Sequence, residues 1–175
     1  MSIETLIKAM RKDPKYRRLK ASFDTLPMYQ LDISQIELDL EQIHRMRPIR
    51  ILYASDPKFI DMIIEANTMD QGARGRLTEI LVTCSRSVNT LERACTAMKQ
   101  HLYLTFADDL RALRTKDERM YVIDVCLSSF MRYIDKVQSV KDMANLIVTD
   151  IDKGSWSLKL SVSAMQVDKT RESRI

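Results

Sequence analysis

From Leu77 to Leu102 the chain places Leu77, Leu81, Cys84, Val88, Leu91, Cys95, Met98 and Leu102 at successive spacings of 4, 3, 4, 3, 4, 3 and 4 residues. Small or apolar side chains recurring at a mean of 3.5 residues fall on one stripe of an α-helix and on neither face of a strand. The seam therefore requires a long helix with a partner along its length. Three Gly and four Pro in 175 residues leave too little turn chemistry for an all-β fold, while a hydrophobic fraction of 45% suffices for a core. The expected class is all-α.

Beyond Leu102 the apolar positions move to Phe106, Leu110 and Leu113, a four-residue stutter through which the helix, starting near Arg76, is expected to continue to about Arg114. Thr115 and Glu118 then form a capping box that starts a second helix. Its seam reads Ile123, Leu127, Phe130, Ile134 and Val137, loosens at Lys141, and resumes at Ala144, Ile147 and Ile151. Two such arms joined tightly make a long antiparallel helical hairpin, coiled-coil-like, each arm roughly 55 Å long. Between Met120 and Ile134 the second arm is apolar nearly all round, so shorter N-terminal helices, a second subunit, or both should cover it.

Upstream, Ile33, Ile36, Leu40 and Ile43 mark a short amphipathic helix, and Asp56–Pro57 is an N-cap and N1 pair opening another. Pro14, Pro27 and Pro48 punctuate the region. The expected organisation is one domain of three parts: short helices with a basic segment over 1–71, the hairpin over 72–153, and a C-terminal helix and tail over 154–175.

No run approaches the eighteen or so apolar residues of a membrane span, and "MSIETLIKAMRK" is not a secretory signal. Cytoplasmic residence is expected, in a host cell if the protein is viral. Cys84, Cys95 and Cys126 are odd in number and lack CxxC spacing, which predicts reduced thiols. His44 and His101 lack the i, i+4 pairing of a helical metal site, so no metal or cofactor is expected. Cys95 and His101 stand on different helix faces, and the pairs Asp108–Asp109 and Asp150–Asp152 diverge. The chain does not read as an enzyme.

Charge is more informative. Residues 11 to 20, "RKDPKYRRLK", hold six basic side chains against one acid and enclose Tyr16. Arg11, Lys15, Arg17, Arg18 and Lys20 could track phosphates while Tyr16 stacks a base. The plainer reading is a solvated helix face, paired with Asp32, Glu37, Asp39 and Glu41. "GARGR" at 72–76 reads as the entry turn of the long helix, where amides flanked by Arg74 and Arg76 could hold a phosphate.

"ERMYVIDVCLSSFMRYIDKV" followed by "DMANLIVTDIDKGSWSLKL" resembles the C-terminal part of the UvsY-like recombination mediators of tailed bacteriophages. In that family a long helix ends in an acidic, isoleucine-containing turn, then Lys, small residues, an aromatic and an aliphatic–Lys pair. Asp150, Ile151, Lys153, Gly154, Trp156, Leu158 and Lys159 follow that order. Lys99 and His101 occupy the place of a basic-x-basic element, with His where the family favours Arg. The similarity spans about residues 75–165.

The resemblance implies a non-enzymatic homo-oligomer that binds single-stranded DNA. Such a protein helps load a RecA-like recombinase onto DNA covered by single-strand-binding protein, in recombination and repair. Leu81, Val88, Leu91, Phe130, Ile134 and Trp156 would then serve packing or oligomer contacts. Gly154 would permit a bend or close packing where the arm ends, and Trp156 would anchor the following segment, read as helix. The rival reading is a helical interaction or assembly protein, viral or otherwise, without nucleic-acid binding.

Overall fold

The computed structural model describes residues 2–26, 29–47 and 59–172, except for the side chains of 161 and 164–172. Among the described residues there are six helices and no strand: α1 (Ile3–Lys12), α2 (Pro14–Thr25), α3 (Ile33–Arg45), α4 (Phe59–Thr105), α5 (Ala107–Arg111) and α6 (Lys116–Glu172). The long helices α4 and α6 pack against each other as the arms of a helical hairpin. The expected cap at Asp56–Pro57, with Pro27 and Pro48, lies outside the described residues.

Two compact units share these helices. The first comprises Met1–Ile33 and Thr83–Val140, the second Ser34–Val82 and Lys141–Ile175.

In the first unit, Ser2 caps α1 by accepting from the Thr5 amide at 3.2 Å. Asp13 caps α2, its Oδ1 accepting from the amides of Lys15 and Tyr16 at 2.9 and 3.0 Å, with Pro14 in the first turn where its missing N–H costs nothing. The capping box forms as expected: the Glu118 amide donates to Thr115 Oγ1 at 3.1 Å, and Glu118 Oε2 accepts from the amides of Arg114 and Thr115. The seam residues Cys84, Val88, Leu91, Cys95, Met98 and Leu102 are buried, as are Ile123, Leu127, Phe130, Ile134 and Val137 of α6.

The broad apolar surface of α6 receives its second cover from α1 and α2. Cys126 Sγ lies 3.9 Å from Met10 Sδ, and Phe23 packs edge-on to Phe130 and Tyr133 with ring centroids 4.9 and 5.3 Å away. Tyr16 stands edge-on to Phe130 at 6.1 Å. Within the same stretch Tyr121 and Met131 stay exposed, at 59% and 44%.

Three expectations need correction. First, α4 does not continue to Arg114; it ends at Thr105, and Phe106 leaves helical geometry at φ −109°, ψ 27°. Each four-residue step past Leu102 rotates an apolar position by about 40° off the seam, whereas the break returns Leu110 to the core at 1% exposure. Second, α4 begins at Phe59 rather than near Arg76, so Gly72–Arg76 form no entry turn. Third, α6 continues as helix through Gly154 and needs no bend there.

In the second unit Leu40 and Ile43 of α3 are buried, with Phe59, Ala66 and Leu77 of α4 and Ala144, Ile147 and Ile151 of α6. Arg47 Nε donates to Asp70 Oδ1 at 2.9 Å and its Nη1 to Asp150 Oδ2 at 2.7 Å, linking α4 to α6 through a residue just past α3. Burial disfavours this guanidinium's charge, but the two carboxylates outweigh that and hold it more basic than usual.

Gly72 and Gly75 sit inside α4 with no positive φ, and a Cβ at either would meet nothing within 4 Å. Neither turn geometry nor close packing among the described residues requires glycine. Gly72→Ala and Gly75→Ala should each stabilise the protein by about 0.5–1 kcal/mol through helix propensity. Urea unfolding checks this; destabilisation would mean that a surface outside the described chain presses against them.

Candidate nucleic-acid interface

The basic segment is carried on two short helices held against long ones at three points. Arg11 Nη2 donates to the carbonyl of Val125 at 3.3 Å, and the Tyr16 hydroxyl donates to that of Cys126 at 3.0 Å. His101 Nε2, from α4, donates to Asp13 Oδ1 at 3.1 Å, the same oxygen that caps α2. Burial pushes the Asp13 carboxyl up, but the Tyr16 and Lys15 amides and His101 prevail and hold it below its usual range. The joint between α1 and α2 is thus fixed by side chains from both helical layers.

These tethers reassign several candidate contacts. Tyr16 is only 7% exposed, and burial raises its phenol pKa, so it belongs to the aromatic core and offers no face to a base. Arg11 is anchored at Val125, Lys20 is paired with Asp24, and Lys99 is paired with Asp124 at 3.0 Å. His101, the departure from the family pattern, positions Asp13.

What remains outward is a set of five cations. Lys8 and Lys12 on α1, and Lys15, Arg17 and Arg18 on α2, are exposed, and no ion pair among the described residues engages them. Lys8 escaped the sequence reading because it lies outside the dense basic run. Its i, i+4 spacing to Lys12 was the available signal. The first unit carries sixteen Lys and Arg against eleven Asp and Glu, the second twelve against thirteen, so the whole positive excess resides in the first.

Arg74 and Arg76 belong to the second unit. Arg74 approaches Asp152 at 3.4 Å, while Arg76 lines a cleft of about 230 Å³ with Ile43, Met46, Arg47, Met69, Gly72 and Ala73. The amides of 72–76 lie mid-helix and form no phosphate-binding helix terminus.

The packing residues divide similarly. Val88, Leu91, Phe130 and Ile134 are buried in the chain's own core, and Leu81 is half-buried. Trp156 is 66% exposed and is not a buried anchor among the described residues. Sequence reasoning missed its company: Ile60, Ile64, Leu146 and Leu160 are also exposed on the second unit. Seam-based reading finds apolar residues that face a partner helix and assigns the outward ones no role.

Cys95, buried and beside Glu92, has its thiol pushed up to about 11, and burial also raises Cys126. Both are packing groups rather than nucleophiles. Among the described residues no helix is long and apolar enough to cross a membrane, and no cluster of three or more His, Cys, Asp or Glu could hold a metal ion. No family model, no curated protein and no solved structure matches this chain.

Proposed function

We propose that this protein is a non-enzymatic, single-stranded DNA-binding accessory factor of recombination and repair. The observation that carries the reading is the exposed set Lys8, Lys12, Lys15, Arg17 and Arg18, unpaired among the described residues and mounted on tethered helices. Such a set favours a polyanion, because each phosphate contact releases a condensed counterion. The resemblance to UvsY-like mediators extends this to a cytoplasmic homo-oligomer that loads a RecA-like recombinase on DNA coated with single-strand-binding protein.

Anisotropy of a labelled single strand across a salt series tests it. Five phosphate contacts predict that log affinity falls with log salt at a slope of about −3.5. The Arg17→Ala, Arg18→Ala variant should bind more weakly, with a slope of about −2. Absence of binding at low salt removes the function; unchanged affinity in the variant removes the assignment.

A second reading is favoured by a separate observation. Ile60, Ile64, Leu146, Trp156 and Leu160 leave large apolar side chains exposed on the second unit, as an assembly protein would. A chain that ignores DNA and associates through these residues would support that reading instead.

A further inference from the structure

Building on the nucleic-acid reading, we infer that the α1–α2 face holds its strand through backbone phosphates alone and leaves the bases unread. Base recognition on a single strand requires an exposed aromatic plane or a group aimed at a base edge. Residues 2–33 contain three aromatic side chains, Tyr16, Phe23 and Tyr29, and all turn inward. Tyr16 and Tyr29 are each 7% exposed, and Phe23 packs against Phe130, Tyr133 and Tyr29. The Tyr16 hydroxyl, the group best suited to a base edge, is committed to the Cys126 carbonyl.

The outward residues are of another kind. Lys8 and Lys12 are one helical turn apart on α1, as are Lys15 and Arg18 on α2, so each pair presents charges about 5–6 Å apart at the Cβ level. Three of the five cations are lysines, compact point charges that neutralise phosphate without a planar surface. The ligand feature selected is therefore a flexible row of phosphodiesters.

The test compares the full chain on two labelled strands of equal length, oligothymidylate and an abasic sugar–phosphate polymer, across one salt series. Affinities within about twofold and equal slopes are expected, since five phosphate contacts are available on either. Stacking of even one base would weaken the abasic strand roughly tenfold. That result overturns the inference and leaves the DNA-binding function standing; it also registers any contribution from the exposed Tyr103 and Tyr121. An Arg17→Lys, Arg18→Lys variant should change affinity by the same factor on both strands, whereas guanidinium stacking on bases would cost it affinity on oligothymidylate alone. Failure of both strands to bind at low salt removes the underlying function and this inference with it.

Discussion

Phe130→Ala should lower the unfolding free energy by about 3–5 kcal/mol, a loss comparable with the entire stability of a marginal domain. Phe130 has no exposed surface, and α2 rests on it through Tyr16 and Phe23. Phe23 and Tyr16 both meet its ring edge-on, at interplanar angles of 76° and 78°. Truncation removes buried apolar area, two aromatic contacts and the floor beneath α2, leaving a cavity that rigid helices close only partly. Urea unfolding measures the loss. Phe130→Leu should cost clearly less, because most of the volume remains. Equal losses in the two variants would show that ring geometry, rather than filled volume, decides the stability. Under the proposed function DNA affinity would supply a second readout, since α2 carries Lys15, Arg17 and Arg18. If the alanine variant stays folded and binds DNA as before, the α1–α2 face does not depend on this floor.

Much of this architecture is legible in the sequence because local spacing encodes it. The seam from Leu77 to Leu102, the capping box at Thr115 and Glu118, and the apolar stripe of α3 each depend on residues within a turn or two of one another. The errors arise where local chemistry is overruled. Two glycines in "GARGR" signal a turn, yet roughly 1 kcal/mol of propensity lost at each cannot interrupt a helix packed through Ala66, Leu77 and Cys84. The seam past Leu102 looked continuous, but no pattern on one strand of sequence shows that a drifting stripe will break at Phe106.

The candidate interface was half legible. A dense run of cations identifies the segment, since charge needs no partner to be read. Which side chains of that run are free depends in part on carbonyls more than a hundred residues away: Arg11 reaches Val125, and Tyr16 reaches Cys126. Tyr16 illustrates the difficulty well. Placed among arginines it reads as a stacking platform, and only the position of α6 turns it into a core residue with a satisfied hydroxyl. His101 is a similar case, because its partner Asp13 is 88 positions away.

Arg47→Ala should destabilise the second unit strongly, and the two carboxylates it joins should not matter equally. Asp70 keeps 5% of its side-chain surface exposed and Arg47 14%, whereas Asp150 keeps 66%. Breaking a buried ion pair by removing one partner costs about 3–5 kcal/mol, chiefly because the remaining charge stays desolvated. An exposed carboxylate loses little, since water replaces the lost contact, so Asp150→Ala should cost under about 1 kcal/mol. Arg47→Lys separates charge from geometry. Nε and Nη1 of one guanidinium reach two helices at once, 2.9 Å to Asp70 and 2.7 Å to Asp150, and a single ammonium cannot reproduce that fork. The lysine variant should therefore fall between wild type and Arg47→Ala in urea unfolding. Equal costs for Asp150→Ala and Arg47→Ala would contradict this, because the exposed arm would then carry the interaction. A lysine variant as stable as wild type would show that positive charge alone, without the fork, holds α4 and α6 together at this level of the hairpin.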